Sequence, residues 1–445
     1  MALEIKSIKG TQDVLPADSW KWQFVERQFL DSAALYGFAE IRVPTFEEKG
    51  LFIRSVGDTT DVVQKEMYTF TDQGGRELAL RPEGTAGVNR AVIESGLING
   101  ALPVKLSYLL SCFRAEKPQA GRFREFHQLG MEVFGSQSPA ADAELISFVS
   151  DFFGRLGLSG ISLEINSIGC PKCRPNYHKA LKEYFADRKD DLCDTCKDRL
   201  DRNPLRILDC KCPTCKEIAK DAPLGLDHLC EECAAHFEGL KKRLDALQID
   251  YTVNPRIVRG LDYYTRTVFE FISGDIGAQS TVCGGGRYDG LLKSLGGPDQ
   301  PGIGYAMGVE RLLMVLEAQG IELPKPAVCD LYIASMGEDA SIKAMEIAAD
   351  LRAEGFFPES DIVGRSLKAQ MKYADKIGAR FSMVLGDSEL ESGVGVIKNM
   401  ATGETSEVAL DGDSVSKFLY DVELEKINGS FGASGLEGLL GQMSF

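Results

Sequence analysis

Apolar residues recur along the chain with two spacings, one typical of amphipathic helices and the other of strands. An N-cap at Asp18 and a glycine at position 37 predict a helix over residues 18–36, and Pro44 ends a strand over residues 38–43. Another helix is predicted from Pro82 to near Gly96. Up to residue 325, the remaining predicted strands are 65–70, 76–81, 106–113, 124–133, 251–258, 267–272 and 279–283, and the remaining helices are 140–156 and 307–319.

The run over residues 124–133 carries the most unusual polar pattern. Because the side chains of a strand alternate between two faces, one face carries Arg124, Phe126, Gln128, Gly130 and Glu132. The other face carries His127, Leu129, Met131 and Val133. The first face is too polar for a core, and side chains of this kind normally surround a charged ligand. A solvated sheet face is the alternative, although an aromatic residue and a glycine would serve no purpose in water.

The last part of the chain has a pattern of its own. A linker is predicted at residues 324–326, where a lysine stands between two prolines. Strands at 331–336, 381–386 and 394–399, a short segment near Asp361, and helices at 340–354 and 366–377 then alternate. This alternation predicts a compact βαβ-type domain. Glycine- and serine-rich sequence from Asn428 predicts a flexible tail.

Composition narrows the class of protein. A length of 445 residues suggests two or three domains, and 44% hydrophobic residues can form sizeable cores. The chain begins with nothing like a signal peptide and has no apolar run long enough to span a membrane, so we expect a cytoplasmic protein without membrane association. The formal net charge of -16 argues against indiscriminate binding to nucleic acid, but it allows a local basic groove.

Eight of the 12 cysteines form four Cys-x-x-Cys pairs within residues 169–247, a block that interrupts the fold. Two such pairs can complete a tetrahedral site, so the spacing predicts structural zinc, one ion or two. The predicted ligands are Cys170, Cys173, Cys193, Cys196, Cys212, Cys215, Cys230 and Cys233. A redox array or vestigial ligands are the alternatives, and the pairing of the motifs stays open. Cys210 is an extra cysteine, and His178, His228 and His236 are near enough in sequence to replace one ligand.

Taken together, these segments resemble a histidyl-tRNA synthetase, a class II aminoacyl-tRNA synthetase, over essentially the whole chain. The hallmarks of the class are Arg42-Val43-Pro44, the strand-loop-strand around Arg114, and Gly308-Val309-Glu310-Arg311. Residues 258–264 and 285–289 are similar to signatures of the histidine enzyme. The resemblance implies an α/β (α+β) protein. An antiparallel-sheet catalytic domain would span residues 1–325, with the cysteine-rich insertion at 169–247, before an α/β anticodon-binding domain at 329–425 and a flexible tail at 426–445.

The resemblance also implies that the carboxylate of histidine attacks the α-phosphate of ATP, with Mg²⁺ bridging the phosphates. Arg114 would hold the α-phosphate and Arg311 the γ-phosphate. Arg259 would bind the opposite side of the α-phosphate and the carboxylate of histidine. Phe126 would stack on adenine, with Glu116 nearby. Arginine suits these roles because its planar, permanently charged fork matches phosphate oxygens.

A neutral imidazole has one hydrogen-bond donor and one acceptor, so Glu132 and Tyr264 could match both ring nitrogens. In the family pattern the α-ammonium group is bound by Glu83, Thr85 and Gln128. The complete expected histidine pocket is Glu83, Gly84, Thr85, Arg114, Gln128, Glu132, Arg259, Tyr263 and Tyr264. We interpret the nearby Gly284-Gly285-Gly286 as a tight turn beneath the substrate.

The second implied step transfers histidine to the 3′-hydroxyl of the terminal adenosine of tRNA(His). The loop over residues 117–121, together with Arg122, is expected to meet the acceptor end. Lys368, Lys372 and Lys376 share one helix face, either as a solvated surface or as phosphate contacts. The resemblance also implies a homodimer formed through the region around Pro44.

Three other functions compete with this interpretation. A catalytically idle paralogue that regulates histidine biosynthesis would usually lack the terminal domain and have altered substrate-binding residues, whereas this chain keeps Arg114, Arg259 and Arg311. A zinc-dependent RNA-binding protein would bind RNA without exchanging pyrophosphate into ATP. An ATP enzyme with a Walker loop is excluded because the sequence contains no Gly-x-x-x-x-Gly-Lys-Ser/Thr.

Overall fold

The computed structural model describes residues 5–58, 60–208, 210, 212–257, 259–277, 280–326 and 328–430, with side chains up to residue 425. The chain divides into two compact units, Met1–Leu323 and Pro324–Phe445. The predicted tail begins inside the last helix, which ends at Ser430, and its remainder lies outside the described residues. None of the helices in the described residues is both long and apolar enough to cross a membrane.

The first unit is built on an eight-stranded, mainly antiparallel sheet with the strand order β1-β5-β6-β11-β10-β9-β7-β8, and a small sheet with the order β2-β4-β3. The strands are Ala39–Glu40 (β1), Phe46–Glu48 (β2), Thr69–Thr71 (β3), Glu77–Leu80 (β4), Val104–Phe113 (β5), Glu125–Phe134 (β6), Ile161–Ser167 (β7), Thr252–Val253 (β8), Thr265–Ser273 (β9), Thr281–Arg287 (β10) and Gly302–Gly308 (β11). Among the strand pairs described in this unit, only β1–β5 and β7–β8 are parallel.

Ten α-helices accompany these strands in the described part of this unit. They are Pro16–Leu35 (α1), Lys49–Val56 (α2), Thr85–Glu94 (α3), Pro139–Arg155 (α4), Arg174–Ala186 (α5), Asp194–Arg202 (α6), Pro213–Ala219 (α7), Glu231–Ala246 (α8), Leu291–Ser294 (α9) and Val309–Ala318 (α10). Helices α5 to α8 belong to the cysteine-rich insertion, for which the sequence analysis assigned no elements. On one face of the main sheet, Leu129, Met131 and Val133 join Phe29 and Phe148 in a large core. The predicted division of β6 into an apolar and a polar face is confirmed.

Several predicted strands differ from the observed ones. The strand predicted over residues 38–43 keeps ladder pairing only at Ala39–Glu40, and that over 251–258 only at Thr252–Val253. Strand β10 continues through Gly284-Gly285-Gly286, so the interpretation of these glycines as a tight turn is wrong. A strand can contain glycine where other groups lie close against its backbone. A Cβ atom on Gly285 would come within 3.0 Å of Tyr305 on the neighbouring strand.

The second unit has a five-stranded sheet with the order β13-β12-β14-β15-β16. Its elements are Leu331–Ser335 (β12), Glu338–Ala353 (α11), Pro358–Ser360 (β13), Leu367–Lys376 (α12), Phe381–Leu385 (β14), Asp387–Ser392 (α13), Val394–Asn399 (β15), Thr405–Ala409 (β16) and Gly412–Ser430 (α14). Strand β12 is parallel to both of its neighbours, as expected where helices connect the strands. The sequence analysis missed α13, β16 and α14, and the core of this unit includes Leu331, Met383 and Val415.

Candidate active site

A cavity of about 240 Å³ opens over the polar side of β6, β10 and β11. Ten of the predicted site residues line it, namely Glu83, Thr85, Arg114, Glu116, Phe126, Gln128, Arg259, Tyr263, Tyr264 and Arg311. These residues come from segments far apart in the chain, which the antiparallel sheet brings together. Gly84 and Glu132 are predicted site residues that do not line the cavity. Arg122 lines it as well, although the sequence analysis gave it only a role at the tRNA end.

Backbone carbonyls and neighbouring side chains fix two of the arginines. Arg311, on the first turn of α10, donates from Nε to the carbonyl of Gly121 at 3.1 Å and from Nη1 to that of Thr281 at 2.8 Å. Arg114 donates from Nε to the carbonyl of Pro82 at 2.9 Å, and its guanidinium lies 5.3 Å from the centre of the Phe126 ring. Burial, followed by repulsion from neighbouring arginines, lowers the pKa of Arg311. Converging positive charge of this kind favours a polyanionic ligand.

Arg259 approaches the same cavity from the loop before β9. It pairs with Glu270, which also accepts a hydrogen bond from the Thr281 hydroxyl at 2.9 Å. A Cβ atom on Gly284 would lie less than 3.0 Å from the Arg259 guanidinium. The glycine run of β10 therefore leaves room for this side chain to lie against the sheet. Glu270 and Thr281 were not predicted as site residues, because their contacts depend on the fold of a loop that carries no strand or helix pattern.

Glu83 anchors the start of α3 beside the cavity. Its two carboxylate oxygens accept the backbone N–H groups of Thr85 and Ala86, each at 2.8 Å. Such bonds satisfy donors that the first turn of a helix cannot pair internally. Burial outweighs these bonds and raises the pKa of Glu83. A buried carboxylate at this position would be stabilised by a cationic ligand group.

Glu132 is fully buried near the end of β6. It accepts hydrogen bonds from the hydroxyls of Tyr288 at 2.5 Å and Tyr108 at 3.2 Å. Burial raises the pKa of Glu132 to about 8, against the opposing effect of these hydroxyls. Glu132 therefore holds a proton at neutral pH in this state. Tyr263 connects it with the cavity, because the Tyr263 ring centre lies 4.6 Å from that of Tyr264 and 5.7 Å from that of Tyr288.

Glycines on β6 and β11 provide the space for Glu132 and its two tyrosine partners. Gly130 lies opposite Tyr108 across β5 and β6, and Gly304 lies opposite Glu132 across β6 and β11. A Cβ atom at either glycine, or at Gly302 beside Tyr288, would come within 3.0 Å of the facing side chain. Tyr108 was missed by the sequence analysis, although a large residue opposite a glycine is a recognisable signal once the register is known. Tyr288 lies in residues 285–289, which resemble a signature of the histidine enzyme, but the sequence analysis assigned it no contact.

Replacing Gly304 by alanine is expected to destabilise the first unit by about 3 kcal/mol, because the new methyl group would overlap the Glu132 carboxyl in a region without free space. Denaturant unfolding would measure the change. Gly154→Ala in α4 is the matched control, since nothing lies within 4 Å of its added Cβ. It should be neutral or stabilising by up to about 1 kcal/mol. Equal losses for the two variants would contradict the steric explanation.

The cysteine-rich insertion brings its thiols together in two groups of four. Cys170, Cys173, Cys230 and Cys233 form the first group, and within each group all sulfur atoms lie within 4.8 Å of one another. Neighbouring sulfurs in the first group are 3.7 Å and 3.9 Å apart. A tetrahedral zinc ion with Zn–S bonds of about 2.3 Å needs a sulfur spacing of about 3.8 Å. The spacing of the first group therefore fits a zinc ion. Backbone N–H donors would support the metal-bound sulfurs, and that of Cys230 lies 3.1 Å from the sulfur of Cys173.

The second group differs from the prediction. It consists of Cys193, Cys196, Cys210 and Cys215, with 3.8 Å between the sulfurs of Cys193 and Cys210. Cys210 takes the place assigned to Cys212, whose backbone N–H donates to the Cys210 sulfur at 3.4 Å. Counting Cys-x-x-Cys pairs could not reveal this, because the chain reverses between positions 196 and 215. None of the three candidate histidines belongs to either group among the described residues.

The sequence and the fold of this chain match those of known proteins. A family model described as histidyl-tRNA synthetase matches residues 10–312, and one described as anticodon binding domain matches residues 330–417. Proteins named histidine--tRNA ligase from Acetivibrio thermocellus and Caldanaerobacter subterraneus are 55% and 54% identical over 403 and 406 residues, each covering 91% of this chain and 97% of the relative. A crystal structure of apo histidyl-tRNA synthetase from S. aureus is 40% identical, with a TM-score of 0.81 over 93% of this chain and 99% of that one. This chain belongs to the histidyl-tRNA synthetase family of class II aminoacyl-tRNA synthetases.

Proposed function

We propose that this protein attaches L-histidine to tRNA(His) through a histidyl-adenylate formed from ATP. The observation that carries the proposal is the convergence of Arg114, Arg259 and Arg311 on one cavity whose wall includes the buried carboxylate of Glu83. With Arg122, four arginines line the cavity, and their positive charge can bind a triphosphate. The acidic group beside them can bind the ammonium group of an amino acid. Relatives named histidine--tRNA ligase favour this function over the idle paralogue and the zinc-dependent RNA-binding protein.

In the proposed first step, Glu83, Thr85 and Gln128 hold the α-ammonium group of histidine. Arg259 and Arg114 then hold the histidine carboxylate and the α-phosphate in line for attack. A carboxylate oxygen forms the new bond to phosphorus, and the bond to pyrophosphate breaks. No protein base is needed, because the attacking carboxylate is already ionised. Catalysis is therefore mainly positioning and electrostatic stabilisation.

The adenine and the γ-phosphate of ATP are assigned to other residues that line the cavity. Arg311 would bind the γ-phosphate, and Phe126 would stack on adenine, with Glu116 near the base. Mg²⁺ would offset the remaining phosphate charge and assist the departure of pyrophosphate. Glu116 pairs with Arg122 at 2.6 Å, so it also orients that guanidinium.

Imidazole recognition is assigned to Glu132 and Tyr264. Because Glu132 is fully buried and does not line the cavity, this assignment requires the side chains between them to rearrange when histidine binds. The proton on Glu132 then becomes part of recognition. A neutral imidazole with a protonated Glu132 has the same proton count as an imidazolium with a carboxylate, so either arrangement fills both ring positions.

Histidine affinity is expected to be nearly constant between pH ~6.5, the ordinary imidazole pKa, and the pKa of about 8 for Glu132. Below this window histidine binding must release a proton, and above it binding must take one up. The affinity should therefore fall about tenfold per pH unit on either side. Calorimetric titration in buffers of different ionisation enthalpy would measure the proton exchange. Glu132→Gln should shift the start of the alkaline limb to higher pH, where the α-ammonium group of histidine itself loses its proton. An alkaline limb that begins at the same pH in this variant would refute the assignment.

In the second proposed step, the 3′-hydroxyl of the terminal adenosine of tRNA(His) attacks the adenylate. The loop over residues 117–121 and Arg122 are assigned to the acceptor end. In the second unit, Lys368, Lys372 and Lys376 are all exposed on α12 and are assigned to phosphate contacts. We assign residues 1–325 to catalysis, residues 329–425 to anticodon binding and residues 426–445 to a tail.

We further propose a cytoplasmic homodimer. Phe46 and Phe70, on the small sheet next to Pro44, are 51% and 43% exposed, and their ring centres lie 6.0 Å apart. An exposed aromatic pair of this kind is typical of a protein–protein contact.

The cytoplasmic assignment is supported by the 12 free cysteines, which persist as thiols in a reducing compartment.

Two structural zinc ions are proposed, one in each four-thiol group. Metal analysis of reduced protein is expected to give two zinc ions per chain, and Cys210→Ser is expected to lose one because it removes a member of the second group. Cys212→Ser is the matched control and should keep both. A folded, reduced protein without metal would refute the zinc proposal, and loss of zinc from Cys212→Ser alone would refute the choice of ligand.

Histidine-dependent exchange of labelled pyrophosphate into ATP tests the proposed function. The purified protein should catalyse this exchange with histidine and with no other amino acid, and should then charge tRNA(His). The idle paralogue and the RNA-binding protein both predict no exchange. A folded protein that binds RNA but gives no exchange would therefore overturn the proposal.

A further inference from the structure

We propose that the cysteine-rich insertion clamps residues 259–264, and that Arg206 is a positioning residue for histidine binding. The inference rests on the proposed function, because that function assigns Arg259, Tyr263 and Tyr264 to the substrates. These residues lie between β8 and β9, outside the sheet ladder. A segment without ladder bonds needs other contacts to hold its side chains in a productive geometry.

Arg206 provides the first of these contacts from a short turn at Pro204–Ile207. Its Nη1 donates to the carbonyl oxygen of Arg259 at 3.0 Å. Its Nε and Nη2 donate to the Asp262 carboxylate at 2.9 Å and 2.6 Å. Arg206 is only 6% exposed, so these charge-assisted bonds are shielded from water. One guanidinium thus holds the segment at a backbone position and at a side chain.

Asp262 completes this contact on the side away from the substrates. It lines a neighbouring pocket and does not line the cavity. Its backbone N–H donates to the carbonyl of Val56 at 3.1 Å, and its carboxylate accepts a bond from Asn203 at 3.2 Å. Asp262 therefore joins the segment to the insertion and to the end of α2 without touching the substrates.

A second contact comes from the other side of the insertion. Arg174, the first residue of α5, donates from Nη2 to the backbone carbonyl of Tyr264. The start of β9 is held as well, because the N–H of Arg266 donates to the carbonyl of Gly169 at 2.9 Å. The insertion therefore holds both ends of the segment, at Arg259 and at Tyr264.

Each of the two arginines that make these contacts lies next to one of the four-thiol groups in the chain. Arg174 follows Cys173, and its N–H donates to the carbonyl of Cys170 at 3.1 Å. Ile207 follows Arg206, and its carbonyl accepts the N–H of Cys210 at 3.1 Å. Because both arginines adjoin a thiol group, the fold of the insertion determines where the two guanidinium groups lie.

Steady-state exchange kinetics of Arg206→Ala test the clamp. Its KM for histidine should rise about tenfold or more, the usual effect of losing charged hydrogen bonds. The number of active sites, counted by stoichiometric adenylate formation, should stay the same. A merely structural role would reduce the number of active sites and leave KM unchanged. Arg206→Lys, which keeps the charge and part of the bonding, should be intermediate.

Arg202→Ala is the matched control, because Arg202 lies in the same part of the insertion but pairs at the surface with Asp58. It should behave as the wild type. Asp262→Asn should raise the KM for histidine, and adding Arg206→Ala to it should have less than the additive effect, because the two residues act through one contact.

The clamp is overturned if Arg206→Ala keeps the wild-type KM, or if Arg202→Ala raises it equally. If Arg206→Ala fails to fold, Asp262→Asn decides, and an unchanged KM in that variant overturns the proposal. A wild-type protein without histidine-dependent exchange would instead refute the proposed function, so the two failures are distinguishable.

Discussion

Arg259→Ala is expected to reduce histidine-dependent pyrophosphate exchange by about 10³-fold, the effect of removing a preorganised group that stabilises developing charge. Arg259 lines the cavity and is assigned to both the carboxylate of histidine and the α-phosphate of ATP. Its loss would leave Arg114 alone to offset the repulsion between these two negative groups. The exchange rate at saturating substrate measures the effect directly.

Two further variants make this result specific. Arg259→Lys keeps the charge but loses the fork, so it should recover only part of the activity. Arg256→Ala removes a nearby arginine that does not line the cavity and donates instead to the carbonyl of Lys220, so its exchange rate should stay near that of the wild type. A folded Arg259→Ala variant with exchange within tenfold of the wild type would contradict the role assigned to Arg259.

The largest effect on stability is expected for Arg287→Met. Arg287 and Asp142 are both fully buried, and Arg287 donates to the Asp142 carboxylate at 2.6 Å and to the carbonyls of Ser136 and Ser138 at 2.9 Å and 2.8 Å. Methionine would leave the Asp142 charge buried, with His236 as its remaining side-chain partner among the described residues. Removing one member of a buried pair typically costs about 3–5 kcal/mol. Denaturant unfolding of the first unit would measure this loss.

The Arg287–Asp142 pair should also make the stability of the first unit depend on pH in the acid range. Burial disfavours the charged form of Asp142, but the charge of Arg287 outweighs it and lowers the pKa to about 2. The pair therefore contributes fully above pH ~4 and is lost as the pH falls toward about 2. Arg287→Met should weaken this acid dependence. Arg155→Ala, which breaks the exposed pair with Asp151, should cost less than about 1 kcal/mol and serves as the control. Equal costs for the two variants would contradict the role of burial.

Local patterns in the sequence predicted the local features of the site. The two faces of β6 followed from strict alternation, because a strand that is buried on one face tolerates no shift of register. The roles of Arg114 and Arg311 came instead from the resemblance to the synthetase family, carried by the strand-loop-strand around Arg114 and by Gly308-Val309-Glu310-Arg311. Ten of the predicted residues then met at one cavity, since the strands that carry many of them are neighbours in the sheet.

Features that depend on contacts between distant strands were not predictable in the same way. The hydroxyls that hold Glu132 come from Tyr108 and Tyr288, and only the strand order and register bring them there. The glycines of β10 looked like a turn, because sequence alone does not show that Arg259 lies across them. In the insertion, the use of Cys210 in place of Cys212 depended on how the chain reverses, which spacing does not specify.

The close packing of glycines against large side chains constrains how this pocket can change over evolutionary time. A larger residue at position 130 requires a smaller one at position 108, and the same relation joins positions 302 and 288. Position 304 is coupled in this way to the carboxyl group at position 132. Related chains that accept a different substrate should therefore differ at both members of such a pair, and single replacements at these positions should be rare among functional descendants.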